Sequence, residues 1–235
     1  MSIHTHAKEN TIMALLNDKD RAAVRTQFEQ TLTRPVALAL VVADRDCDLC
    51  DVTRELLEEV GALHHNLRVT VYDRTRDAAR VEQLGVDKVP AIAVLDGESA
   101  TDYGIRFYGI PSGYEFATLL EAIQLVGGGQ GELQPATRAF LGELRQPLHL
   151  QVFVTPSCPY CPRAAMLAHR LAYASPRITA DVVEVSEFPE LGERYQVMGV
   201  PRTVIGERVF VEGAAPEGVL VGKLKEALRA EVSAN

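Results

Sequence analysis

No run in this chain approaches the roughly 18 apolar residues that a membrane-spanning helix needs, which excludes a transmembrane span. There is no cluster of Lys and Arg, and the net charge is -8 over 235 residues. Nucleic-acid affinity comes mainly from neutralised phosphates, so that class is excluded too. Met1 to Asn10 is polar, with no apolar core ahead of a cleavage site, and no secretory leader is expected. His4 and His6 in that stretch read as part of a solvated terminus rather than a metal tail. Cysteine is scarce. A secreted disulfide scaffold spreads many cysteines along its chain, whereas the four here fall into two pairs, Cys47-Asp48-Leu49-Cys50 and Cys158-Pro159-Tyr160-Cys161. What remains is a soluble globular chain, 47% hydrophobic and 24% charged, long enough for one large domain or two of about 115 residues. Paired cysteines outside a secreted scaffold point to redox chemistry or metal binding.

The sequence repeats itself. Pro35 precedes an apolar run, and so does Pro147, 112 positions later; the same offset pairs Phe28 with Phe140 and Leu38 with Leu150. After a one-residue slip the offset becomes 111 and pairs Cys47 with Cys158, Cys50 with Cys161, and Val89-Pro90 with Val200-Pro201. The cysteine-to-proline spacing is therefore 43 in both halves. Gly127-Gly128-Gly129-Gln130-Gly131 breaks the chain between the copies, which predicts units at 1–129 and 130–235.

Within the first unit, Val24, Phe28 and Leu32 mark one face of a helix. A buried strand is expected over 35–43, a helix after Cys47, a strand over 67–72, a short helix over 77–84, a strand over 91–95 and a closing helix over 116–126. The second unit is expected to copy this with a helix over 136–145, a strand over 148–154, a helix over 158–173, a strand over 178–185, a hairpin of 202–205 with 208–211, and a helix over 218–230. The fold class is thus α/β: two tandem thioredoxin-like units, each a central mixed sheet flanked by helices, packed as one compact molecule.

Each C-x-x-C pair follows a predicted strand and opens a predicted helix. That spacing puts both sulfurs on one side of the first turn, among amide groups that have no helical partner. Those amides and the helix dipole stabilise a thiolate, which attacks a disulfide through a mixed-disulfide intermediate. Cys47 and Cys158 are the expected nucleophiles, Cys50 and Cys161 the resolving thiols. Pro159 suits the first helical position, and Pro162 is tolerated in the first turn. Val89-Pro90 and Val200-Pro201 enter apolar strands from loops, so both bonds are candidates for cis. The backbone of Val89 or Val200 is then available to pair with an extended substrate segment. Pro90, Pro201, Pro159 and Tyr160 complete the expected substrate-binding set. A zinc site would need all four thiolates. With 107 residues between the pairs, and each pair accounted for by its own repeat, it is set aside; no resident metal is expected. The remaining histidines, His64, His65 and His149, offer no reason to assign a ligand or base.

These motifs resemble the protein disulfide oxidoreductases, glutaredoxin-like proteins with two thioredoxin-fold units in one chain. The resemblance rests on the two C-x-x-C pairs, the Cys-Pro-Tyr-Cys form of the second, the two Val-Pro pairs and the string Phe107-Tyr-Gly-Ile-Pro-Ser-Gly-Tyr-Glu-Phe116. It implies reduction, oxidation or isomerisation of protein disulfides in the cytoplasm, redox-active disulfides with no other cofactor, and a thioredoxin-reductase-like flavoenzyme as electron donor. A related expectation is an electron carrier for a peroxiredoxin-type peroxidase, similar to the N-terminal module of alkyl hydroperoxide reductase flavoproteins. Those modules typically keep cysteines in one fold only, and the intact first pair argues against this. A different class, a zinc-binding or chaperone-like binding module, is the third alternative. Two departures stand out. Val211 to Pro216 lacks the Gly-Gly pair that glutaredoxins use for glutathione. Val41 and Val152 stand where thioredoxins keep a buried Asp six residues before the first cysteine.

The two pairs are not equivalent. Asp44, Asp46, Asp48 and Asp51 crowd the first, with Arg45 and Arg54 as partial relief, and like charge disfavours a thiolate. The second has no acid between Thr155 and Pro162 and has Arg163 nearby. Cys158 is expected to have the lower pKa and the second pair to be the more oxidising.

Overall fold

A computed structural model describes residues 15–129 and 131–232. Gln130, at the expected boundary, and His4 and His6 lie outside the described residues. α1 (Asp18–Thr31) opens at Asn17, whose side chain accepts the Asp20 amide at 2.9 Å, and it buries Val24 and Phe28. β1 (Val36–Val42) is apolar at every position and buried at all but Ala37, as a strand covered on both faces must be. α2 (Cys50–Gly61), β2 (Leu67–Asp73), α3 (Ala78–Gln83), β3 (Ala91–Asp96), β4 (Asp102–Tyr108) and α4 (Tyr114–Val126) complete the first half. The second runs α5 (Pro135–Glu143), β5 (Leu148–Val154), α6 (Cys161–Ala174), β6 (Ile178–Glu184), α7 (Pro189–Arg194), β7 (Arg202–Ile205), β8 (Val209–Glu212) and α8 (Glu217–Val232). No helix among the described residues is long and apolar enough to cross a membrane.

The expected α/β class holds, but the two sheets are one. The eight strands of the described residues join in the order β2-β1-β3-β4-β6-β5-β7-β8. The joint is β4, which the sequence pattern does not reveal. It pairs parallel with β6, from Ile105 opposite Ala180 to Tyr108 opposite Val183. Gly104 and Arg106 interrupt the alternation that would mark a strand. Both have local reasons. Gly104 has φ +74°, and a Cβ there would stand 2.7 Å from the Ile178 carbonyl oxygen. Arg106 is buried, and its guanidinium donates to the Leu84 carbonyl at 2.8 Å and to Asp102 at 2.7 Å. α7 is the other element without a visible signal: Pro-Glu-Leu-Gly-Glu-Arg has a single large apolar residue and hence no period.

Side chains lock this seam on both faces. The Phe107 ring meets the His169 ring of α6 edge-on, centroids 5.0 Å apart, and Tyr103 packs on Tyr173 at 4.7 Å. On the other face Tyr108 meets Phe188. Beyond the end of β4, the Ile110 amide donates to Glu187 at 2.8 Å.

Candidate active site

β1, β4, β6 and β5 all run in one direction, because β1 and β4 are each antiparallel to β3 and the remaining two contacts are parallel. Both C-x-x-C turns therefore rise from the same rim of the sheet, one after Val42 and one after Val154. Four strand spacings separate β1 from β5, about 19 Å at ~4.8 Å each.

Both pairs are disulfide-bonded, with Cα–Cα distances of 5.4 Å and 5.5 Å. The helices start later than expected. α2 opens at Cys50 and α6 at Cys161, each capped by the residue before. The first cysteine of each pair lies in the turn ahead, and its carbonyl accepts the amide of the second at 3.4 Å. Pro159 consequently sits in that turn and not at the first helical position; Pro162 is the proline inside the first helical turn. Pro159 and Tyr160 are exposed, Cys158, Cys161 and Cys50 are buried, and Cys47 is half-buried.

Val89-Pro90 and Val200-Pro201 are both cis. Sheet register carries each to its own pair. Val41 faces Ala91, so one further step sets Pro90 beside Val42. Phe153 faces Arg202, which sets Pro201 beside Val154. Val89 and Pro90 thus stand at the end of β1 that leads into Cys47–Cys50, and Val200 and Pro201 at the end of β5 that leads into Cys158–Cys161.

Val41 and Val152 are fully buried, so no acid stands at those two positions. A buried carboxyl stands elsewhere, at the seam between β4 and β6. Glu115, in the first turn of α4, is 2% exposed, and neither of its oxygens is within hydrogen-bonding geometry of a partner among the described residues. It lines a small cavity with Val154, Val182 and Glu184. α4 is held to the loop before Cys158 by the Tyr114 amide, which donates to the Pro156 carbonyl at 2.9 Å. Gly113, φ +59°, permits that contact, since a Cβ would lie 2.2 Å from the same oxygen. Burial pushes the Glu115 carboxyl up to about 7. In sequence it is indistinguishable from the glutamates that helix N-termini favour at the surface. At the first pair the acids are solvated. Asp44 pairs with Arg76 at 3.3 Å and Asp51 with Arg54 at 3.8 Å.

His169 is the counterpart of Glu115 in pH response. It is fully buried, neither ring nitrogen is within hydrogen-bonding geometry of a partner among the described residues, and burial holds it down to about 4. The neutral carboxyl of Glu115 is favoured in the fold, so its contribution is present below pH 4.5 and lost as pH rises to about 7. Neutral His169 is also favoured, so its contribution is present above pH 6.5 and lost as pH falls to about 4. Each is on the order of 3 kcal/mol, and the two slopes oppose each other where they overlap. Glu115→Gln is expected to leave a stability that rises from pH 4 to 6.5; His169→Leu is expected to leave one that falls from 4.5 to 7. Urea midpoints measured across pH check this, and profiles parallel to the parent protein would contradict it.

Residues 148–226 match the thioredoxin domain family. The F component of alkyl hydroperoxide reductase from Pseudomonas aeruginosa is 29% identical over 193 residues, 82% of this chain and 34% of that protein. The chain spans about a third of the length of the curated relatives it matches. Among solved structures, the N-terminal domain of the F component of alkyl hydroperoxide reductase from Enterococcus faecalis matches with a TM-score of 0.82 at 26% identity, covering 89% of this chain and 99% of that one. A protein disulfide oxidoreductase from Aeropyrum pernix matches with a TM-score of 0.84 at 28% identity, covering 91% and 94%. The resemblance read from the motifs therefore holds: this is a thioredoxin-fold chain with two C-x-x-C disulfides, similar over nearly its whole length to a protein disulfide oxidoreductase.

Proposed function

We propose that the chain is a protein dithiol-disulfide oxidoreductase with two units, 1–129 and 130–235, each exchanging with substrate through its own pair. The observation that carries this reading is the matched set at each end of the rim: an intact disulfide, a turn in front of a helix, and a cis-proline loop beside it. In the reducing direction the Cys158 thiolate attacks one sulfur of a substrate disulfide. A mixed disulfide forms and the other substrate sulfur leaves as a thiolate. Cys161 then attacks Cys158, closes the C-x-x-C disulfide and releases the second substrate thiol; two electrons pass to the substrate. Cys47 and Cys50 perform the same sequence at the first site. Val200, Pro201, Pro159 and Tyr160 hold the substrate at the second site, Val89 and Pro90 at the first.

The four strand spacings, ~19 Å, between the strands that lead into the two pairs support independent action, because a thiolate must touch the sulfur it attacks. The same separation disfavours a four-thiolate zinc site, where every sulfur lies about 2.3 Å from one ion. A thioredoxin-reductase-like flavoenzyme in the cytoplasm returns the electrons. The second reading, an electron carrier for a peroxiredoxin-type peroxidase, is favoured by the relatives named alkyl hydroperoxide reductase. Mixing the fully reduced protein with excess insulin separates the two. Loss of all four thiols, and of two in a variant lacking either pair, supports the broad reading. Loss only to the disulfide of a peroxiredoxin supports the second, and no loss to either rejects both.

A further inference from the structure

The 111-residue offset relates α3 to α7, and the two pack differently. In α3 and the loop after it, Val81, Leu84 and Val86 are buried. Their equivalents Gly192, Tyr195 and Val197 are only half-buried, and α7 has no buried residue. A groove of about 640 Å3 opens there, lined by Val185, Pro189, Gly192, Gln196, Val197 and Met198 together with Glu193. Met198 is 93% exposed and stands two residues before the cis Val200-Pro201 bond; across the pair, Tyr160 is 69% exposed. Val197 and Met198 thus belong both to the groove wall and to the segment that leads into the cis Val200-Pro201 bond. At the first site the position of Met198 is taken by Asp87, which is paired with Lys88, and Lys88 in turn lies 4.3 Å above the Tyr108 ring.

We infer that this groove receives an apolar side chain from an extended segment of the disulfide-bearing substrate protein, and that the first site has no such pocket. The inference rests on the proposed exchange activity and adds substrate selectivity to it. The Val200 backbone makes no hydrogen bond within the chain among the described residues, so it is free to pair with an extended segment. Alternate side chains of such a segment point the same way. The residue two positions along from the one opposite Val200 then meets Met198 and the groove behind it. The lining is mostly apolar, which favours Leu, Ile or Met there over a polar residue.

The test uses the full chain with Cys47 and Cys50 replaced by serine, and the reciprocal chain with only the first pair. Substrates are disulfide-linked peptides carrying Leu or Ser two residues to either side of the cysteine. At the second pair kcat/KM is expected to favour Leu on one flank by about tenfold, the effect of burying roughly half a leucine side chain. At the first pair the ratio is expected to be near one. Met198→Asp, which copies the first site, is expected to bring the second-site ratio toward one. Gly192→Val adds bulk to the groove lining; its Cβ would stand 2.9 Å from Val185 Cγ2, so the stiff Val185 side chain must shift, and the ratio is expected to fall in the same way. Equal rates for Leu and Ser on both flanks at the second pair, or a preference that survives both substitutions, would overturn the inference. Failure of the second pair, with its groove intact, to react even with hydroxyethyl disulfide would instead reject the exchange activity itself.

Discussion

Cys158→Ser is expected to lower reduction of a protein disulfide at the second pair roughly a thousandfold or more, the scale of losing a nucleophile from a unit that acts as one. A serine hydroxyl does not ionise near neutral pH, and Cys161 is fully buried and out of reach of a protein substrate. Cys161→Ser should instead stall the reaction at the mixed disulfide and trap substrate on Cys158. Cys47→Ser is expected to cost less than half of the total activity. Asp46 and Asp48 flank Cys47, and Asp44 and Asp51 stand within four residues of it, while the second pair has no acid between Thr155 and Pro162. A thiolate is therefore favoured at Cys158 over Cys47. The assay is insulin reduction driven by a saturating thioredoxin-reductase-like flavoenzyme. A larger loss from Cys47→Ser than from Cys158→Ser would reverse the assignment of the main site.

Phe107→Ala is expected to destabilise the whole chain by about 3–5 kcal/mol, the usual cost of removing a buried phenyl ring. Phe107 is 2% exposed on β4 and faces His169 of α6, so its cavity opens between the two units rather than inside one. Because β4 and β6 are hydrogen-bonded neighbours in one sheet, both halves should unfold in a single urea transition at lower midpoint. Two transitions, with the second half keeping its original midpoint, would show that the seam does not couple the units.

Much of the fold is legible in the sequence. The duplicated strand, C-x-x-C turn, helix and Val-Pro entry have strong local signals, since apolar runs, paired cysteines and prolines each constrain the backbone where they stand. The seam is not legible. β4 carries a glycine required by a neighbouring carbonyl and an arginine whose partners, Leu84 and Asp102, are invisible as partners until the chain is folded. The parallel contact between β4 and β6 pairs residues about 75 positions apart, and no periodicity encodes it. Glu115 is hidden for the same reason. Its cavity is lined in part by Val154, Val182 and Glu184 of the second unit, while its sequence setting reads as an ordinary helix start. Pro159 lies ahead of the helix that the sequence pattern assigns it to, because a proline before a helix and a proline inside its first turn look alike in sequence.

The central claim is that each C-x-x-C pair is a self-contained two-electron centre. It is tested most directly by equilibrating the full chain against dithiol buffers of graded potential, alkylating the free thiols and measuring each cysteine-containing peptide by mass spectrometry. Each pair should titrate as one two-electron couple, tenfold per ~30 mV, with Cys158–Cys161 at the more oxidising potential and neither midpoint moving when the other pair is replaced by serine. A pair that stays fully reduced or fully oxidised across the range, or midpoints that shift together when one pair is removed, would contradict the account.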